Sequence, residues 1–274
     1  MADITVRKMP FEWPDDLPVL ANPDDVSRSC ELVGFSLTMP HLEPYLIRTM
    51  RTAGQQATDP VIATDMKNFS AQEAQHHRNH SLVNKIVRDK LTSETAAKVE
   101  AIEAELEADY RQFTADKSLQ FNLAYAEGFE AMTLSMALAQ FENPNEGMDP
   151  EWGRLMAWHL AEEIEHRTVT FDAYDHLFGS YFYRLRVGVW AQKHFMSYVL
   201  KLASCVQQDF REPGESETKG RGWRLLKQQW SSGFLPRYLK TLPPWYNPAK
   251  IEIPQGVRDM WVAYDELAAS GDAL

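Results

Sequence analysis

Two short stretches hold the residues best suited to chemistry. The first reads Phe69-Ser-Ala-Gln-Glu73-Ala-Gln-His76-His77-Arg78-Asn79-His80, in which Glu73 and His76 stand at i, i+3 and His80 follows at i+7. On a helix these three side chains project from one face within about two turns. The second reads His159-Leu-Ala-Glu162-Glu163-Ile-Glu165-His166-Arg167, where Glu163 and His166 repeat the i, i+3 spacing and His159 lies four residues before Glu163. Carboxylates bridge two metal ions while each imidazole binds one, so a doubled Glu-x-x-His pattern points to a dinuclear site. One such motif alone is commonplace on a solvated helix face. Two of them, with carboxylates on the intervening helices, are much harder to explain that way.

A dinuclear site of this type needs a Glu from each of two further helices. Glu43 is the first. For the second the stretch Tyr125-Ala-Glu127-Gly-Phe-Glu130-Ala-Met-Thr133 offers Glu127 and Glu130; Glu130 is preferred, because its interval to Glu163 resembles that from Glu43 to Glu73. The expected metal ligands are therefore Glu43, Glu73, His76, Glu130, Glu163 and His166, with Glu127 as the alternative on its helix. His80 fits either a ligand or an outer base. His77, Glu162 and Glu165 fall beside the ligand face and are expected in surface ion pairs or outer hydrogen bonds. His41, His176 and His194 lack ligand-spaced partners, and Asp172 fits orienting a ligand or capping equally well.

These residues need helices to position them. From about Ser36 apolar residues recur at helical spacing over long stretches free of Pro and Gly, which predicts an all-α protein. Helices are expected at 40–57, with Pro44 in the first turn, and from Asp59-Pro60 to 89. A charged connecting helix at 92–115 follows, then 117–142, and then a helix from Asp149-Pro150 to 177. Four core helices with a long crossover between the second and third match a ferritin-like four-helix bundle. Residues 1–35 are expected as an N-terminal arm, 36–180 as the metal-binding bundle, and 181–274 as additional C-terminal helices covering it. These include a helix at 181–210 and a polar, Gly-rich break at 213–222.

The remaining composition narrows the function. A net charge of -11 argues against a nucleic-acid partner. Only Cys30 and Cys205 occur, so neither a disulfide framework nor a thiolate zinc cluster is expected, and the compartment is read as reducing. No leader-like segment or long apolar run is recognisable, and a cytoplasmic location is expected. Trp152, Trp158, Trp190, Trp223, Trp230, Trp245 and Trp261 are read chiefly as packing, with the lining of an apolar substrate cavity as the functional alternative. The helix at 181–210 is expected to dock on the bundle rather than on a lipid surface.

The chain resembles the bacterial family usually labelled predicted metal-dependent hydrolases, whose members look ferritin-like. The stretches that carry the resemblance are Pro40-His-Leu-Glu43, Phe69 to His80, Phe129-Glu130-Ala-Met-Thr133, and Trp158 to Arg167 continuing through Phe171-Asp172. It covers about 35–180 and is most specific in the two Glu-x-x-His helices. His159-x-x-x-Glu163-x-x-His166 is also similar to the pattern of di-iron arylamine N-oxygenases, in which an additional histidine joins the ligands. That resemblance implies His159 as a further ligand and an oxygen-activating site.

The leading expectation is a non-haem di-iron oxygenase or oxidase, with manganese or a mixed pair as alternative metals. It would oxidise a small apolar or aromatic substrate using O2 and an electron donor. Hydrolysis by a metal-bound hydroxide is the first alternative. Metal binding or redox sensing without turnover is the second. A homodimer is compatible with all three.

Overall fold

The computed structural model describes residues 4–144, 146–210 and 232–271, and among these there is no strand. Seven helices, α1 to α7, form the body: α1 (Val26–Gly54), α2 (Pro60–Lys90), α3 (Ser93–Asp116), α4 (Leu119–Glu142), α5 (Pro150–Glu165), α6 (Val169–Leu177) and α7 (Tyr181–Val206). A short α8 (Phe234–Leu239) and an amphipathic α9 (Gln255–Ser270) follow. The expected Gly-rich break at 213–222, with Trp223 and Trp230, lies outside the described residues. No described helix is long and apolar enough to cross a membrane.

The helix starts follow local rules. The Asp59, Thr92, Ser118 and Asp149 side chains each accept a backbone N–H from the first turn of the helix that follows. Pro60 and Pro150 occupy first-turn positions where no N–H is needed.

Two helices differ from expectation. The first begins at Val26 instead of 40, and runs through both Pro40 and Pro44. A proline inside a helix leaves the carbonyl four residues earlier without its usual donor. Here the Ser36 carbonyl, left free by Pro40, accepts from Asn84 Nδ2 of α2 at 2.7 Å, and the His77 ring lies against the Pro40 carbonyl left free by Pro44. Asn84 thus replaces one missing bond, and α1 stays continuous through both prolines. The expected helix from 150 to 177 instead breaks after Glu165. Thr168-Val169-Thr170 is a β-branched run with reduced helix propensity, and the Arg167 guanidinium takes the Ile164 carbonyl at 3.0 Å. His166 therefore sits at the end of α5.

Packing brings the helices close. α1 lies against α2 and α7, and α4 lies against α7 and the α5–α6 pair. Where α4 crosses α7 a Cβ on Gly128 would overlap the Gly188 backbone, so the crossing needs glycine at 128, while a Cβ on Gly188 would be a tight fit. The arm before α1 is not helical, yet its own Ile4, Met9, Phe11, Leu17 and Val19 are buried. Trp152 and Trp158 are fully buried in the same layer, while Trp245 is largely exposed. Cys30 and Cys205 are free and buried.

Candidate metal centre

In the bundle interior, ligand-type atoms converge in two groups. Glu43, His76 and His159 form one, and Glu73, Glu130, Glu163 and His166 the other; within each group the ligand atoms lie within 4.8 Å of one another. All seven residues are at most 3% exposed. They come from α1, α2, α4, α5 and the residue ending α5. Glu163 joins the groups, with Oε1 3.0 Å from His159 Nε2 and Oε2 3.4 Å from His166 Nε2. His166 Nε2 also lies 3.2 Å from Glu130 Oε2 and 3.7 Å from Glu73 Oε1. His76 Nδ1 is 3.8 Å from Glu73 Oε1.

Several of these atoms have no hydrogen-bond partner: both oxygens of Glu43 and of Glu130, Glu73 Oε1, His76 Nδ1 and His166 Nε2. Buried polar atoms are otherwise nearly always paired, so this many orphans at one point calls for an occupant. Four carboxylates match the charge of two divalent cations. Electrostatics agrees. Burial and the Glu73 charge push the Glu43 carboxyl well above the ordinary carboxylate range, and burial with Glu163 does the same to Glu130. Burial works against an imidazolium at His76, but Glu162 and Glu73 outweigh it and raise its pKa from 6.5 to about 10. Burial likewise opposes charge on His166, yet Glu163 and Glu130 hold it well above the ordinary histidine value. Without metal, protons occupy this pocket, and metal binding would have to displace them.

The outer nitrogens of the three histidines are each engaged. Asn84 donates to the Ser36 carbonyl, which turns its Oδ1 toward Ser36 Oγ at 2.6 Å. Ser36 thus donates to Asn84 and accepts from His80 Nδ1–H at 2.8 Å. His80 Nε2 is left as an acceptor for His159 Nδ1–H at 2.7 Å. Burial and neighbouring histidines push both His80 and His159 below the ordinary histidine pKa, consistent with neutral rings. The lone pair of His159 Nε2 therefore faces Glu163 Oε1 at 3.0 Å. Cis ligands about 2.1 Å from a shared cation stand about 3.0 Å apart, so this pair fits a metal between them. Burial alone would raise the Glu163 pKa, but the neighbouring His166 charge holds it well below the ordinary range. Thr133 Oγ1 donates to Glu163 Oε2 at 2.9 Å.

His76 Nε2–H donates to Glu162 Oε2 at 3.0 Å. His166 Nδ1–H donates to Gln72 Oε1 at 3.0 Å, and Gln72 Nε2 donates to Glu165 Oε2 at 2.5 Å. Glu162 and Glu165, expected in surface pairs or outer hydrogen bonds, are buried and both contact the buried Arg7 guanidinium. Arg7 and Gln72 carry no ligand-spacing signal, and nothing in the sequence near Arg7 marks it.

The remaining residues fall elsewhere. Glu127 points to Arg184 on α7 and pairs with it, away from both groups; Glu130 is the α4 carboxylate that reaches the cluster. His80 stands one hydrogen bond behind His159 and belongs to neither group. His41 lies near Glu103, His176 accepts from the Thr58 backbone, and His194 bridges Tyr125 and Asp109.

The family model described as predicted metal-dependent hydrolase matches residues 5–252. The chain belongs to this family. The match covers the whole body of helices together with the N-terminal arm that carries Arg7. In this member of the family, the buried carboxylate and histidine groups could hold a dinuclear metal site. No curated protein and no solved structure matched the chain.

Proposed function

We propose that this protein is a di-iron oxidase or oxygenase of ferritin-like architecture, acting on a small apolar substrate. The reading rests on one observation above all: four buried carboxylates and three imidazoles, with orphaned oxygens and nitrogens, converge from separate bundle helices. Glu43, His76 and His159 would hold one metal, and Glu73, Glu130 and His166 the other, with Glu163 reaching both. Such a ligand set suits iron or manganese, which when bound would supply O2 activation.

The chain's own residues set the conditions for that chemistry. Burial of every ligand excludes bulk water, which strengthens electrostatics inside the site. Thr133 holds one oxygen of Glu163 by donating to it. A half-open pocket of about 660 Å³ has Leu32, Phe35, Met136, Met156 and Met196 on its apolar wall, with Asp25, Arg28 and Glu31 among its polar lining. Phe35 joins cavity and centre, its ring centroid 6.2 Å from that of His159. Methionine-rich walls adapt to apolar molecules of varied shape.

The family description favours a second reading, metal-dependent hydrolysis. Anaerobic loading with Fe(II), followed by measurement of O2 uptake and of the optical spectrum, separates the two. Stoichiometric O2 uptake is expected. An Fe(II)-loaded protein inert to O2 that hydrolyses esters or amides equally well with and without air would exclude the oxidase reading.

A further inference from the structure

We propose that Arg7, on the N-terminal arm, is a positioning residue for both histidines of the doubled Glu-x-x-His pattern, deciding which ring nitrogen of each faces the metal pocket. The proposal rests on the dinuclear-site reading above.

Arg7 is 2% exposed, and each of its three guanidinium nitrogens donates to a carboxylate. Nη1 and Nη2 form a fork on Glu165, at 2.7 Å to Oε2 and 2.9 Å to Oε1. Nη1 also reaches Glu162 Oε1 at 3.3 Å, and Nε donates to Asp265 Oδ1 of α9 at 2.7 Å. Two hydrogen-bonded paths leave this one group. Through Glu162 it holds the acceptor of His76 Nε2–H, which turns Nδ1 of that ring toward Glu73. Through Glu165 it holds the acceptor of Gln72 Nε2, and this fixes the amide so that its Oε1 faces His166 Nδ1. Nε2 of His166 is thereby turned to Glu130, Glu163 and Glu73. The two histidines present opposite nitrogens, Nδ1 in one and Nε2 in the other, although their sequence motifs are alike. The path behind each ring accounts for the difference.

Charge neutralisation alone would be satisfied by any buried cation near Glu162 and Glu165. Positioning needs the planar fork, which places two carboxylates at fixed angles and which lysine cannot reproduce. The arm that carries Arg7 is also held to Gln72 by the Thr5 carbonyl, which accepts from Gln72 Nε2 at 2.9 Å. The arm through Thr5 and Arg7, and α9 through Asp265, therefore both contribute to the network behind the two histidines.

The test compares the wild-type protein with Arg7→Lys and Gln72→Leu. Anaerobic titration with Fe(II) and Zn(II) gives stoichiometry and affinity, and ¹⁵N NMR of the histidine rings in the Zn(II)-loaded protein shows which nitrogen carries the metal. The wild type should take up two metals, through Nδ1 of His76 and Nε2 of His166. Arg7→Lys should weaken both metals about 10- to 100-fold, the usual cost of losing a partner behind a ligand. Gln72→Leu should weaken only the metal held by His166. Should Arg7→Lys not fold, the Gln72→Leu selectivity and the wild-type ring shifts still decide the matter. Wild-type affinity for both metals in Arg7→Lys, or binding through the opposite ring nitrogens, would overturn the role of Arg7 and leave the metal site standing. A wild type that binds no metal would overturn both.

Discussion

The two groups each take one histidine of the doubled Glu-x-x-His pattern, yet they differ in composition and environment. Glu73/Glu130/Glu163/His166 gathers three carboxylates around one imidazole, whereas Glu43/His76/His159 gathers two imidazoles around one carboxylate. Behind the first stand an amide and a carboxylate, Gln72 and Glu165; behind the second stand Glu162 for one ring and the uncharged His80–Ser36–Asn84 chain for the other. Repetition of a local pattern therefore does not make two equivalent groups. The carboxylate-rich group should hold a divalent cation more tightly, because it offers more negative charge per ion.

Removing the residue shared by both groups should have the largest effect. Glu163→Ala is expected to lower metal affinity at both positions by more than about 100-fold, exceeding the usual cost of losing an outer partner. Metal analysis of the purified variant checks this, and two metals per chain would refute the assignment.

His80→Leu should separate the groups. It removes the acceptor for His159 Nδ1–H, and a loss of about 10- to 100-fold is expected at the Glu43 position alone. Equal loss at both positions would contradict the asymmetry.

Acidity provides a third lever. His76 is raised in the folded metal-free protein from 6.5 to about 10, so its contribution to stability is complete below pH 6.5 and is lost as pH rises through 10. The raised carboxyls of Glu43 and Glu130 act in the same direction, since ionising them while buried is unfavourable. Glu163 has the opposite sign, but its contribution is lost only as pH falls through the acid range. The metal-free melting temperature should therefore fall between pH 6.5 and 10. Metal affinity should rise over the same interval, because fewer protons need displacing. A metal-free Tm that climbs across this window would contradict the arrangement of charges.

The smallest effect on the site is expected from a change in packing. Gly128→Ala forces a Cβ into the Gly188 backbone at the α4–α7 crossing and should cost about 1–3 kcal/mol of stability by denaturant unfolding. Metal stoichiometry should be unchanged at both positions. Loss of either metal would mean that the groups depend on the bundle crossing more than on their own partners.

Much of the architecture was legible in the residues themselves. Helical periodicity, Asp-Pro starts and the i, i+3 spacing are local properties, so the all-α class and the presence of ligand-bearing faces follow from short stretches. The helix ends were less legible. The start at Val26 is capped locally by Asp25, but the passage of α1 through Pro40 is supported by Asn84, which reaches a carbonyl more than thirty residues away in sequence. The break at His166 combines a local β-branched run with a side chain that turns back on its own helix.

By itself the sequence determined which ligand types exist and on which helix face each one sits, because those follow from a 3.6-residue repeat. Tertiary structure alone decided that Glu130 reaches the cluster while Glu127 meets Arg184, that His80 stands behind His159, and that Arg7 lies behind both Glu-x-x-His histidines. The physical reason is distance along the chain. How one helix is rotated against the next, and where an arm without periodicity comes to rest, are settled by packing between residues as far apart as Arg7 and Asp265, and no local pattern records them.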